Sequence, residues 1–484
     1  MTFSILLRLA CFCIELLCAC NLGLPDMQFA AYRLGNFALR SAALAGGLTA
    51  DAFTRRGEGH VWMLNSAECQ EMVAPRRDRQ AFAGAAIALA VLFMGNNLPS
   101  ALYGVLRAAF GYSSLTQTLL YAAAVAVILP GLAIFGPLSD VVGRRVLVVA
   151  GLLSFGAGDV LFVVAHDTAG LFAARVVQGL GMALATAAAT ATLSDNAGVL
   201  FLDHERAQRI AALTATACVT GGLAFGPLLG GILAQYGPAQ LKLSFIIHLA
   251  LVAIALAAAR RLPSKPATAI GPWRPVSFRV PVSVRRTFAL IAASAFLAWT
   301  VFGVFSAVIP SFLSDLLDTK NVALASGALA LMIATSALAQ FGAHRLHAVS
   351  AQLLGLGTLA VGLALLVAAT VIRDPILAVL AMLGSGVGHG FIFVGDMSEI
   401  SMATPAEERG AVIGTIYLVN YIGLGGPVIG VGMLSLSYGL LAATRVAAAV
   451  IAALCVLLIP LVVGAGNTPA RAAADGQGRF RPRC

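Results

Sequence analysis

Gly136-Pro137-Leu138-Ser139-Asp140-Val141-Val142-Gly143-Arg144-Arg145 separates two apolar runs, residues 114–136 and 146–165. Each run is close to the ~20 apolar residues a helix needs to cross the hydrocarbon of a bilayer. The stretch between them carries the turn residues and the charge. Gly136 and Gly143 permit a tight turn. Asp140 can pair with a neighbouring arginine or cap the amino end of the next helix. Arg144 and Arg145 leave the turn net positive. Two spans joined by a short basic turn are a building unit of a polytopic membrane protein, because basic residues stay in cytoplasmic loops.

The same unit recurs along the chain. Further runs lie near 82–106, 169–193, 210–234, 243–259, 287–312, 322–341, 350–371, 375–396, 410–434 and 441–463, which with the first two predicts an all-α membrane protein of about twelve spans. Composition agrees: 60% of residues are hydrophobic and only 11% charged, against roughly a quarter charged in a soluble domain. The 50 glycines often adjoin alanine, as expected where membrane helices pack closely. A net charge of +10 in a soluble protein would suggest nucleic acid; here it belongs to the loops, and no nucleic-acid partner is expected. Seventeen Lys and Arg fall in one alternating set of connections and the tail, against Arg107, Lys242, Lys320, Arg373 and Arg445 in the other set. That asymmetry predicts an inner (plasma) membrane protein, multi-pass, with both ends of its body cytoplasmic.

The expected organisation is an amino-terminal extension over 1–79, a six-helix bundle over 80–260, a basic linker over 261–286 rich in proline, a second six-helix bundle over 287–464 and a cytoplasmic tail over 465–484. The extension has three readings: a signal peptide ending near Leu17-Cys-Ala-Cys20, a thirteenth span, or a mis-assigned start with Met72, followed by Val-Ala-Pro-Arg-Arg-Asp-Arg, as the true one. The halves share a pattern: Glu205-Arg206 precedes Gly226-Pro227-Leu-Leu-Gly230, and Glu408-Arg409 precedes Gly426-Pro427-Val-Ile-Gly430. Internal duplication is expected of transporters whose halves rock around a central site.

Three stretches carry a resemblance. The turn at Gly136, Asp140, Gly143, Arg144 and Arg145 resembles the signature loop G-x-L-a-D-r-x-G-r-r of the major facilitator superfamily. Arg175-Val-Val-Gln178-Gly179-Leu-Gly181-Met-Ala183 resembles the family's fourth-span motif. Gly222-Leu-Ala-Phe-Gly226-Pro227-Leu-Leu-Gly230-Gly231 resembles its antiporter motif. The resemblance implies a major facilitator fold and secondary active export of small molecules, drugs or toxic metabolites, by proton antiport. It implies Asp140 and Arg144 as a conformational latch, Arg175 as a residue of proton transfer or of the site, and the glycines around Pro227 as the mark of an exporter. From residues alone, Arg175 is an arginine inside a span, costing ~2.5–3.5 kcal/mol on insertion scales, and it shares a helix face with Gln178.

A proton-coupled carrier needs a titratable intramembrane group. Relatives often place an acid in the first span, where this chain has Asn96 and Asn97. The remaining acids are Asp159, expected to be the coupling carboxylate beside Arg175, and Asp396, whose neighbour Glu399 suggests that it lies at the interface. The expected substrate cavity is lined by Asn96, Asn97, Tyr103, Gln117, Gln178, Trp299, Asn420 and Tyr421. Trp299 would stack on a cation or anchor at the interface. His389 reads as a packed residue in the glycine-rich run Gly384-Ser-Gly-Val-Gly-His-Gly390.

There is no Gly-x-x-x-x-Gly-Lys-Ser/Thr loop, no His-Glu-x-x-His run and no Gly-x-Ser-x-Gly elbow, so no ATP motor or enzyme is expected. The eight cysteines lack zinc-ligand spacing. The expectation is a carrier with no cofactor or metal, working as a monomer, whose partners are a small-molecule substrate, protons and the lipid bilayer. Two rival functions stay open: export of one specific metabolite, such as a sugar or amino-acid derivative, and a non-transporting receptor or scaffold.

Overall fold

The computed structural model describes residues 76–466 apart from 201–203, 265–274, 276–277, 317, 319, 344 and 406–407. The amino-terminal extension with Met72, most of the basic linker, the carboxyl-terminal tail and the Glu205 side chain lie outside the described residues.

The chain is helical throughout the described residues: α1 (Arg76–Phe110), α2 (Ser114–Val142), α3 (Arg144–Val164), α4 (Thr168–Leu200), α5 (His204–Tyr236), α6 (Leu243–Ala259), α7 (Arg285–Leu316), α8 (Val322–Ala343), α9 (Ala348–Ile372), α10 (Pro375–Ala403) and α11 (Arg409–Gly466). Ten are long and apolar enough to cross a membrane. α6, with 17 residues, is shorter but as apolar. α11 has 58 residues, ~87 Å at 1.5 Å per residue, far more than one crossing. Gly439, at φ 77° and ψ 163°, breaks it into two spans with no loop between them. With α6 counted and α11 divided, the spans number twelve.

The turn that decided the fold is tighter than its sequence suggests. α2 runs on to Val142, and Gly143 alone, at φ 103°, separates it from α3. That backbone angle requires glycine. Gly136 sits inside α2, where an added Cβ would meet nothing closer than Ala187 Cβ at 3.7 Å; it does not make the turn. Asp140 is in the last turn of α2, and the amino-terminal cap of α3 is Gly143, with no side-chain bond. Asp140 therefore acts by pairing, not by capping.

One bundle is formed by α1 to α6 and the other by α7 to α11, and they meet where α2 packs on α11, α5 on α8 and α1 on α7. Within the first bundle the glycine stripe of α5 lies on α1. A Cβ at Gly222 would stand 2.6 Å from the Ala90 carbonyl, one at Gly230 2.9 Å from that of Leu98, and one at Gly226 would strike the Met94 carbonyl. The duplicated stretch in α11 does not repeat this packing: a Cβ added at Gly426 or Gly430 would meet nothing within 4 Å, whereas one at Gly423 would stand 2.8 Å from the Phe296 carbonyl of α7. The shared pattern marks the same span of each half, with different contacts.

Candidate functional site

A chain of buried polar side chains crosses the first bundle. Asp159 of α3 is fully buried and ion-paired with His248 of α6, Oδ2 to Nδ1, at 2.6 Å. The other imidazole nitrogen, Nε2, faces the Val91 carbonyl of α1 at 2.9 Å. With Asp159 ionised both ring nitrogens face acceptors, and only the doubly protonated imidazolium donates to both. Gln178 Nε2 donates to the second carboxylate oxygen of Asp159 at 2.9 Å, and Arg175 Nη1 donates to Gln178 Oε1 at 3.0 Å. Arg175 ends the chain by donating to the backbone carbonyls of Leu120 in α2 and Asn96 in α1, each at 3.3 Å. Asp159 and Arg175 are therefore linked through Gln178 rather than in contact, and the partner of Asp159 is a histidine the sequence left among seven scattered ones.

This network is packed on both sides. Gly95 of α1 leaves the space that His248 and Phe155 fill, Nε2 lying 2.5 Å from where a Cβ would be. The Phe155 ring stands edge-on to the imidazole, 5.5 Å between centroids. Arg175 is anchored by a fork of donors that a lysine cannot reproduce. The Arg175→Lys variant is expected to lose at least one of the two carbonyl contacts, lowering the melting temperature of purified protein by several degrees; an unchanged melting curve would show that the fork does not hold α1 and α2.

Side-chain contacts join the two bundles at one end, and a cavity lies between them toward the other. The closed end is where α1 ends and α2 begins, the side with few arginines. Gln117 of α2 donates across the seam to the Ala307 carbonyl at 2.7 Å and to Ser311 Oγ at 3.1 Å. The Val322 amide of α8 donates to Gln235 Oε1 of α5 at 2.8 Å. Arg107 lies 3.9 Å from Asp315, and Gly231 presses on Ser326. At the opposite, arginine-rich end, a cavity of about 150 Å³ opens between Leu213 and Thr216 of α5, Gln340 and Phe341 of α8, and Phe393, Val394, Met397 and Ser398 of α10.

Several expected cavity residues serve elsewhere. Gln117 belongs to the seam. Asn97 donates to the Leu223 carbonyl at 2.9 Å and accepts from Ser100, which fixes α1 to α5. Gln178 is the relay just described. Tyr103 is buried, its backbone carbonyl accepting from the Tyr112 hydroxyl at 2.9 Å. Asn96 is half-buried and contributes its backbone carbonyl to Arg175. The sequence could not separate these roles, since each helix presents polar groups to lumen, neighbour and seam alike.

In the second bundle Asp396 is enclosed by protein. It is buried, and its carboxylate accepts from Ser294 Oγ of α7 and Gln352 Nε2 of α9, all at 2.9 Å. α10 runs on to Ala403, two turns beyond Asp396. Trp299 of α7 is half-buried among Phe302, Phe393 and His389, with centroids 5.6, 6.2 and 5.3 Å away. With the Asn420 amide oriented to satisfy both neighbours, its oxygen accepts from Trp299 Nε1 at 3.2 Å. Tyr421 is half-buried beside this cluster on α11. Among the described residues no group of three or more His, Cys, Asp or Glu is arranged to hold a metal ion.

The family model of the Major Facilitator Superfamily matches residues 85–427, most of the chain. The chain belongs to that family. It is a transporter, as the twelve spans in two bundles around a one-sided cavity already suggested. Solved structures of the superfamily share its fold: a bacterial homolog of the human lysosomal transporter Spinster, in an inward-facing and occupied conformation, at TM-score 0.66 and 15% identity over 85% of this chain and 100% of that one, and the nucleoside transporter NupG at TM-score 0.64 and 12% identity, over 80% and 99%. Sequence relatives are partial. The quinolone resistance protein NorA of Staphylococcus aureus is 25% identical over 100 residues, 21% of this chain and 24% of NorA. The methylenomycin A resistance protein of Bacillus subtilis is 29% identical over 177 residues, 37% and 34% of the two chains. The match thus spans between a quarter and a third of the length of these relatives.

The signature loop of the superfamily has a partner here that its motif does not name. Arg144 lies 3.5 Å from Asp140, is ion-paired with Asp195 near the end of α4, and donates to the Ala191 carbonyl at 2.9 Å. Arg145 reaches Ser264 Oγ at 3.4 Å. These contacts tie the ends of α2, α3 and α4 together within the first half. Asp140 and Asp195 are both well exposed, so each pair contributes up to about 1 kcal/mol.

Proposed function

We propose that this transporter exports small molecules, drugs or toxic metabolites, in exchange for protons, and that the Asp159–His248 pair carries the proton. The observation behind the reading is the pair's hydrogen bonding: the imidazolium satisfies both the carboxylate and the Val91 carbonyl, and its deprotonation leaves one of them without a donor and a net negative charge beside Gln178. The titratable and charged groups around the pair are few. α4 offers Arg175; α6 offers only His248; the ionisable residues of α1 are Arg76, Arg77, Asp78 and Arg79 at one end and Tyr103 and Arg107 toward the other; α3 adds Arg144 and Arg145 at its start. Arg175 is the charge that responds, and it holds the backbones of α1 and α2, the helices that form the seam through Gly104, Gln117 and Arg107. Proton release thus bears on the contacts that decide which side is open. Asp396, in its neutral cage of Ser294 and Gln352, is the candidate for a second proton.

In this reading the arginine-rich side is cytoplasmic, the structure is closed to the outside and open inward, the Asp140–Arg144 latch is disengaged from the second half, and Gly231 of the antiporter motif lies in the outer seal. The partial relatedness to two antibiotic resistance proteins supports drugs as the substrate class. Inverted vesicles with an acid interior provide the test. Addition of norfloxacin, ethidium or similar lipophilic compounds is expected to dissipate the gradient, read by a pH-sensitive dye, in vesicles with this protein and not in empty ones. A gradient left intact by the whole panel would remove proton-coupled drug export and favour a single-metabolite carrier.

A further inference from the structure

The second bundle holds a polar atom with no use inside the protein. His389 of α10 is almost fully buried, and its Nδ1 is hydrogen-bonded to Ser336 Oγ of α8 at 2.8 Å. Its Nε2 is buried without a hydrogen-bond partner. Buried polar atoms in native structures nearly always have partners, and an exception calls for an explanation.

The local sequence makes this arrangement deliberate. Gly386 and Gly390 let α10 lie against the backbone of α8: a Cβ at Gly386 would be 3.0 Å from Thr335 Cβ, and one at Gly390 would be 2.9 Å from Ala339 Cβ. Gly388 does the same toward α9, 2.6 Å from the Leu359 amide nitrogen. That approach brings Ser336 to the imidazole and fixes the ring. With Nδ1 held by α8, the imidazole packs against α7, where Trp299 and Phe302 stand 5.3 and 5.4 Å away, centroid to centroid. Trp299 and Phe393 are half-buried, and Phe393 also lines the open cavity. His389 lies 14 residues from each end of the 29-residue α10, ~21 Å at 1.5 Å per residue. The cluster therefore lies at the middle of α10 and adjoins the cavity through Phe393.

We infer that Trp299, Phe393 and His389 form a substrate subsite for a planar aromatic compound with a hydrogen-bond-accepting edge, such as a ring carbonyl or carboxylate, whose face lies on the Trp299 ring, with Phe393 steeply inclined beside it, and whose edge atom bonds Nε2 of His389. Ser336 sets which tautomer His389 presents: when the serine hydroxyl donates to Nδ1, Nε2 carries the hydrogen and is a donor. Asn420, by holding Trp299 Nε1, fixes the indole face. This names the substrate class for the export reading and rests on it, but binding is measured without any gradient, so the two fail separately.

The chain has three tryptophans; with Trp62 and Trp273 replaced by Phe, the emission of purified protein reports Trp299 alone. Norfloxacin, a planar ring system with a carbonyl and a carboxylate edge, is expected to quench that emission saturably. His389→Leu should weaken binding about tenfold, one hydrogen bond's worth, while His389→Gln, which keeps a donor, should stay within about threefold. Ethidium, whose ring edge carries amino donors and no carbonyl or carboxylate acceptor, should be indifferent to His389. Because His389→Leu can disturb packing, its Trp299 emission spectrum without ligand serves as the fold check, and the glutamine variant carries the comparison if the leucine variant does not fold. Equal norfloxacin affinity in wild type and the His389 variant, or no saturable quenching up to the solubility of norfloxacin, would overturn the subsite.

Discussion

Asp159→Asn is expected to abolish proton-driven export and spare substrate exchange. Without the carboxylate the His248 imidazolium loses its counter-ion, and the pair no longer cycles between holding and releasing a proton. Export driven by an imposed gradient should therefore fall at least about tenfold, toward the rate of empty vesicles. Exchange of labelled for unlabelled substrate across the membrane needs the rocking of the halves but no net proton movement, and should continue. The variant should also be less stable, because removing one member of a buried ion pair strands the other, at a cost of ~3–5 kcal/mol in comparable cases. Asparagine can still accept from the imidazole, so the lower part of that range applies. Adding His248→Gln to Asp159→Asn should recover part of the loss, since two neutral amides can bond each other; melting temperatures of the two variants measure this. Full gradient-driven export by Asp159→Asn would move the coupling site to Asp396, where Ser294 and Gln352 are the residues to vary next.

The second large effect is expected at Gly231. An added Cβ there would stand 2.6 Å from Ser326 Cβ and 3.1 Å from the Val322 carbonyl, across the boundary between the halves. Gly231→Leu should force α5 from α8 at the closed end while leaving each bundle intact. Overpacking of this kind is worth ~1–3 kcal/mol, which tilts a two-state balance by between about fivefold and a hundredfold. Spin labels at Tyr236 and Leu324, both exposed near the seam, should show a longer distance gaining population. The control is Gly226→Leu, whose side chain would strike the backbone of α1 inside one bundle and should abolish accumulation of folded protein. A distance distribution unmoved by Gly231→Leu would mean that the seam yields elsewhere.

The architecture was legible because it is written in one dimension. Apolar runs, arginine counts and glycine-bounded turns each depend on neighbours in sequence, and they gave the spans and the two bundles. The site was legible only where it is local. Arg175 and Gln178, three residues apart, were placed on one face and are bonded. The pairing of Asp159 with His248 joins residues 89 positions apart on helices that nothing in the sequence says are neighbours. One signal was available: His248 is the only ionisable group in the 17 residues of α6, and such a residue inside a span calls for a partner. The burial of Asp396 was hidden for a similar reason, since Ser294 and Gln352, which bond it, lie on other helices. Asn97 and Gln117 looked like cavity residues because polarity does not reveal direction.

The brevity of α6 has a bearing on how protons reach the pair. Seventeen residues rise ~26 Å, short of a ~30 Å hydrocarbon layer, while its neighbours α1 and α3 have 35 and 21 residues. A bilayer meeting a short helix thins or dips toward it, and exposed Lys242 at the start of α6 draws headgroups and water to that spot. His248 is only six residues further in, ~9 Å of helix rise. The depth of the proposed proton site below the water is thus set by a helix length, so reconstitution into lipids of longer acyl chain should slow proton exchange at His248 before it slows the rocking of the halves.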